Sequence, residues 1–447
     1  MSTRKRLVGA AVLVLCWLSL SGAQDSPRFR GPNGDGTYPD VRIRTDWRGR
    51  PPKIVWRANL GYGFSEIVVD GDRAVTAGYP PGEKKSLLCC LDAATGTEYW
   101  RIEYEDTCGG HRSSLLGPIA TPLIDGGRVY MVAAMGALYC YNLADGRAQW
   151  AKVTNKDSAL GEPHGDYGDG VSPVSVGDLL IAQLSVAKDA AAWHAFNKND
   201  GSLVWSHPIK RRERRSRREI IDRAYCAPAV CELNGERHLI LVSNAAIDLV
   251  NLKTGACLYS HSLAARRMDW GPFVEPVMVG TDKFFLGLWY AKGKGGCANL
   301  FELRPDGLTR LWANNTVGKG AYTYVVHDAY VYGYGSPGLQ CVALDTGDAR
   351  WKWRSTEPRR MRDQGEIVLL GDKLVWISTS GILHVGEASP DRSRPLAEFA
   401  LIGKPGPEVH REKARYNNVV CTAPNYAAGH LYCRSPWGEV VCVDIKP

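Results

Sequence analysis

The chain has 447 residues, long enough for two or three ordinary domains, and carries 55 Lys and Arg against 47 Asp and Glu for a formal charge of +8. The basic excess is local: a leader carrying Arg4, Lys5 and Arg6 accounts for three charges, and the run Lys210–Glu219, with seven basic and two acidic residues, holds the equivalent of the remaining +5. The basic run reads as a solvated loop or an anion-binding tongue, and the export signal at residues 1–23 argues against nucleic acid as a partner.

Residues 1–23 read as a signal peptide: Arg4-Lys5-Arg6, an apolar run from Leu7 to Leu20, then the small residues Ser21-Gly22-Ala23. Cleavage is expected after about Ala23. The apolar run is short for a membrane span, Cys16 lacks a lipobox context, and no other stretch would cross a bilayer, so the mature chain is expected without a transmembrane segment. Export places it in a periplasmic or extracellular compartment. Residues 24–50 form an N-terminal extension, and 51–447 form one domain.

That domain is built on a repeated phrase in which an apolar strand leads to a Gly turn and a second strand closing on an aromatic. Its best copies run from Cys90 through Gly96 to Trp100, Cys140 through Gly146 to Trp150, Ala195 through Gly201 to Trp205, Leu249 through Gly255 to Tyr259 and Cys341 through Gly347 to Trp351. In all five the glycine stands four residues before the aromatic, as a hairpin needing positive φ at the turn requires. Looser copies lie at Leu300–Trp312, Leu383–Phe399 and Glu439–Asp444. The last has a first strand and no second, while Lys53–Leu60 is a closing strand with no hairpin before it. A further strand pair precedes the hairpin at Ile67–Val75, Leu123–Met131, Val174–Ile181, Val277–Phe285 and Ile367–Val375. Joining the ends gives an all-β, eight-bladed β-propeller of four-stranded antiparallel blades, closed by pairing of the N-terminal strand with the C-terminal blade.

Thirteen cysteines become twelve after cleavage, and export permits disulfides. Yet Cys90, Cys140, Cys341 and Cys442 share the hairpin slot that Ala195 fills elsewhere, which predicts small buried side chains rather than bridges. Cys226 and Cys231, taken as lying in one strand, are expected on opposite faces and unpaired.

One propeller face has uniformly short turns; the other gathers the irregular sequence, including Ala77–Lys85 and Ser185–Asp189 within blades. Residues just before each innermost strand should ring the channel mouth. The expected ligand-binding set is His111, Arg112, His164, Asp166, Arg223, Tyr225, Asp269, Trp270, Tyr322, Tyr324, Arg362, Asp363, Gln364, Arg415, Tyr416 and Asn417. Aromatics for stacking, Arg for anions and Asp or Asn for hydroxyls suit a polar or anionic small molecule or a glycan. The same groups could instead cap blades and bond to one another. The ten histidines are scattered without a zinc motif, there is no Gly-x-Ser-x-Gly elbow, and Asn33-Gly-Asp-Gly36 lacks the later carboxylates of a calcium loop, so no catalytic residue and no metal site are expected.

Leu88-Cys-Cys-Leu-Asp-Ala-Ala-Thr-Gly96 through Trp100 resembles the signature of the pyrroloquinoline quinone (PQQ) repeat, and Phe29-Arg-Gly-Pro-Asn-Gly-Asp-Gly36 looks like the start of exported members of that superfamily. The resemblance implies one of two broad groups. Quinoprotein alcohol dehydrogenases use PQQ with calcium; scaffolds such as the lipoprotein propeller of the outer-membrane barrel-assembly machinery use no cofactor. The dehydrogenases place a disulfide of adjacent cysteines over the quinone, and Cys89-Cys90 is such a pair, but within a strand the two face opposite ways. The expectation is a monomeric, non-catalytic scaffold without cofactor, binding an envelope protein or other ligand through its long-loop face. Under the dehydrogenase alternative, Asp166, Asp269 or Asp363 would be the base and Arg112, Arg362 or Arg415 would hold the quinone carboxylates. A glycan-binding or glycan-active propeller is a third reading.

Overall fold

The structure is a computed structural model that describes residues 25–83, 85–104, 117–134, 136–153, 170–187, 190–209, 224–263, 273–288, 296–318, 322–335, 338–355, 365–392, 394–403 and 421–447. Among them no helix occurs, and none is long and apolar enough to cross a membrane. The strands form eight antiparallel four-stranded blades in chain order, so the all-β propeller read from the repeat is the fold. Blade one comprises Val68–Asp70, Arg73–Gly78, Ser86–Asp92 and Glu98–Tyr104; blade seven comprises Gly365–Leu370, Lys373–Ser378, Ile382–Glu387 and Ala397–Ala400.

Closure occurs in blade eight. Its inner strands Asn425–Ala427, His430–Arg434 and Glu439–Asp444 are completed by Lys53–Asn59, in antiparallel register from Lys53 opposite Asp444 to Asn59 opposite Glu439. Two strand edges that would otherwise stay open are thus paired with each other.

The repeated phrase is a latch between blades. Cys90, Cys140, Ala195, Cys341 and Cys442 lie opposite Trp100, Trp150, Trp205, Trp351 and Trp56, and a bulge beside each of these pairs turns the tryptophan toward the next blade. There the indole Nε1 donates to a turn carbonyl: Trp56 to Ala93 at 3.0 Å, Trp100 to Leu143 at 2.9 Å, Trp205 to Leu252 at 2.9 Å and Trp312 to Leu344 at 2.8 Å. The ring lies over that turn's glycine. At Gly96 and Gly255, with φ of +73° and +71°, a Cβ would come within 2.7 Å of the preceding blade's indole. Glycine is needed there both for the dihedral and for the close approach. The apolar residues fall into eight clusters, one per blade interface.

Successive strand residues serve different interfaces. Cys89 packs with Trp56 and Leu60 between blades eight and one, whereas Cys90 packs with Val75 and Ile124 between blades one and two. Burial pushes their thiols up to about 11 and 12. All eleven described cysteines carry free thiols.

Two expectations need correction. Cys226 precedes the strand Ala229–Leu233 that holds Cys231, and both side chains enter the same cluster between blades four and five. The opposite-face argument fails because the strand begins later than assumed. Residues 185–187, expected in an irregular connection, extend the strand Leu179–Ala187, which pairs with Ala190–Asn197.

Candidate functional site

The axis of the ring is filled by the chain's own N-terminal segment. Ser26 bridges antiparallel to Val69, and the Pro27 carbonyl accepts from Ile124 N at 2.8 Å. The segment therefore travels along the innermost strands from the short-turn face toward the long-loop face. It reverses over residues 31–36. Gly36 O then accepts from Leu369 N at 2.8 Å, and Thr37–Tyr38 runs parallel to Gly365–Leu370, back toward the short-turn face. The reversal uses Gly31, Gly34 and Gly36, all at φ near +80°, and Asp35 Oδ1 accepts from the backbone N and hydroxyl of Thr37 at 2.8 and 2.7 Å. Asn33–Gly36 is thus a turn. The returning limb is anchored by Tyr38, whose hydroxyl bonds Asn425 and accepts from Tyr426 N at 3.2 Å.

Near the long-loop end of the axis the segment meets three glutamates that stand at or just before innermost strands: Glu66, Glu275 and Glu366. They belong to a belt of side-chain acceptors in which one blade's backbone N–H bonds the next blade's side chain. Glu66 N donates to Thr121 Oγ1 at 2.9 Å, Thr121 N to Ser172 Oγ at 2.9 Å, Ala227 N to Glu275 Oε1 at 3.2 Å and Thr323 N to Glu366 Oε2 at 3.0 Å. Arg30, 1% exposed, reaches into this belt. Its backbone N donates to Glu66 Oε2 at 2.9 Å, its Nη2 donates to the carbonyls of Asp35 and Tyr324, and its Nη1 lies 3.5 Å from Glu275 Oε2. Its guanidinium also sits 5.7 Å from the centre of the Tyr324 ring. Arg30 has φ +59°, a left-handed conformation that is unfavourable for a side chain of this size and is held by these contacts.

Burial dominates the electrostatics. It pushes the Glu66 carboxyl up to about 8 and Glu366 up to about 7, with Arg30 opposing the rise at both. Glu275 is raised for the same reason, and Arg30 and Arg28 oppose the rise. Arg28 is lowered by burial and supported by Glu275 and Asp35. Three buried carboxyls thus face the buried Arg30 and the part-buried Arg28, which favours a retained proton among the acids at neutral pH.

Of the residues predicted at the mouth, Tyr225, Tyr322 and Tyr324 are described. Tyr324 lies inside the ring, its hydroxyl donating to Glu275 O at 2.8 Å and accepting from Gly287 N at 3.0 Å. Tyr225 packs against Phe273 with ring centroids 5.2 Å apart, and Tyr322 against Tyr334 at 6.4 Å. His111, Arg112, His164, Asp166, Arg223, Asp269, Trp270, Arg362, Asp363, Gln364, Arg415, Tyr416 and Asn417 lie outside the described residues, as does the basic run 210–219. The segments 61–66 and 361–366, expected at the mouth, end on Glu66 and Glu366, which were not placed in the ligand-binding set; Glu275, Arg28 and Arg30 were passed over. The available signal was a Glu repeated next to innermost strands and a glycine-rich turn carrying two arginines ahead of the domain.

Eight four-stranded blades, the Gly and Trp latch and the shared closing blade make this chain an eight-bladed β-propeller. A family model described as outer membrane protein assembly factor BamB matches residues 51–244. Among solved structures, BamB from Moraxella catarrhalis is similar at 15% identity and a TM-score of 0.57, covering 88% of this chain and 98% of that one. A quinohemoprotein alcohol dehydrogenase from Comamonas testosteroni is similar at 13% identity and a TM-score of 0.65, covering 94% and 80%. A europium-containing methanol dehydrogenase is similar at 9% identity and a TM-score of 0.63, covering 92% and 89%. At these identities the likenesses establish the fold. No curated protein matches the sequence.

Proposed function

We propose that this chain is an exported, non-catalytic propeller scaffold of the cell envelope that engages a protein partner through its long-loop face. The observation that carries the reading is the filled axis: residues 26–38 occupy the channel, and Arg30 meets the carboxylates that would otherwise face a ligand. The match of residues 51–244 to the BamB family model points the same way.

The described residues do not fit a quinone on the axis. Cys89 and Cys90 serve two different blade interfaces and so cannot form a cover over it, and the space beside Glu66 and Glu275 is taken by Arg30.

A photo-crosslinking residue at exposed Glu83, on the long-loop face, should yield a defined adduct in intact cells, whereas one at exposed Asp178, in a turn of the other face, should not. Adducts from position 178 alone would reverse the assignment of the face. Titration of the purified protein with PQQ and calcium should leave the quinone absorbance unchanged; a saturable change would favour the dehydrogenase reading.

A further inference from the structure

At the outer rim, away from the axis, three potential ligands converge from two blades. His207 lies on the outer strand Leu203–Pro208 of blade three, where Trp205 and His207 turn toward blade four. Asp248 lies on Ala246–Asn251 of blade four, and Cys257 begins that blade's outer strand, Cys257–Ser262. Cys257 pairs in register with Val250, two residues from Asp248, so both side chains face blade three. His207 Nε2 stands 3.1 Å from Asp248 Oδ2, and the imidazole, carboxylate and thiol ligand atoms all lie within 4.8 Å of one another. His207 and Asp248 are buried, whereas Cys257 is the one exposed cysteine among the described residues.

We propose that His207, Asp248 and Cys257 bind a zinc-type divalent cation, with the fourth position open to solvent beside Cys257. One nitrogen, one oxygen and one sulfur donor suit zinc(II), which takes tetrahedral ligands at about 2.0 to 2.3 Å and has no preference that a β-sheet rim would violate. In a tetrahedron of that size neighbouring ligand atoms stand about 3.3 to 3.8 Å apart, within reach of small side-chain rotations from the present spacing. On binding, the Cys257 thiol gives its proton to solvent and its sulfur bonds the metal. The His207 Nε2 lone pair and an Asp248 oxygen complete the protein ligands, with the imidazole proton held on Nδ1. The site joins blades three and four, so the cation would tie two outer edges together.

The test uses the full-length protein stripped with a chelator. Cobalt(II) should give a thiolate-to-metal charge-transfer band that zinc(II) abolishes, and zinc should slow maleimide labelling of Cys257, read on its peptide by mass spectrometry, by at least about tenfold. Cys257→Ser, at an exposed position, should fold as the parent does yet lack the band. His207→Ala should weaken zinc binding by at least about tenfold and remove the protection of Cys257. A cobalt spectrum unchanged in Cys257→Ser, or labelling of Cys257 indifferent to zinc, would overturn the proposal. If His207→Ala proves unstable, the Cys257→Ser comparison alone decides it.

Discussion

Arg30 and the glutamates around it show how a polar cluster survives at the centre of an all-β ring. Each acid accepts from the backbone or lies beside a guanidinium, yet burial still holds Glu66 and Glu366 protonated well above the usual carboxylate range. The sign of the pH effect follows. An acid whose pKa is higher in the folded state than in the unfolded chain contributes stability at low pH, and that contribution is lost as pH rises through the folded value. Part-buried His194 and buried His384, both lowered to about 4 by desolvation, act in the opposite direction, but only below the ordinary histidine range near 6.5. Between pH 6.5 and 8.5 the glutamates should therefore dominate, and Tm should fall as pH rises. Glu66→Gln with Glu366→Gln should flatten this slope in thermal scans; an unchanged slope would mean that other groups titrate there.

At several blade interfaces an aromatic of one blade lies over the turn glycine of the next, beside the apolar cluster between them. Gly71 and Gly255 separate the two demands on a turn glycine. Both have positive φ, but a Cβ at Gly71 would meet nothing within 4 Å, while one at Gly255 would meet the Trp205 ring at 2.7 Å. Gly71→Ala should cost only the left-handed backbone penalty, about 1–2 kcal/mol. Gly255→Ala should cost about 1–3 kcal/mol more, because the indole must shift and its bond to Leu252 O is strained. Urea midpoints of the two variants check this, and equal losses would show that the latch tolerates displacement.

Across the whole molecule residues 25–60 do two separate things. Lys53–Asn59 closes the ring, and Ser26–Tyr38 fills its axis. Removing residues 53–60 should leave Glu439–Asp444 as an open edge and produce oligomers or aggregates, visible by light scattering after size-exclusion chromatography. Removing residues 25–41 alone should leave a monomeric ring of lower Tm, since its edges stay paired while Arg30 and Tyr38 are lost from the axis. Aggregation of the second variant to the same extent as the first would show that filling the axis is as necessary as closing the ring.

The number of blades, their order and the closing strand were legible in the sequence because each depends on local, repeated chemistry: a turn that needs glycine, an alternation of faces and an aromatic at fixed spacing. Lys53–Asn59 could be assigned to the last blade because each half of that hairpin lacked a neighbour. The two faces of Cys89 and Cys90 followed from the period of a strand. Tertiary structure alone decided the rest. Nothing local to Phe29–Gly36 says that Arg30 will reach Glu275, 245 residues later in the chain, or that Glu66 and Glu366 will share one axis. Nor does any motif spacing bring His207, Asp248 and Cys257 together, since they meet only because blade three lies against blade four. A closed ring makes neighbours of residues far apart in the chain, so its centre and its interfaces are written in the fold rather than in any stretch of sequence.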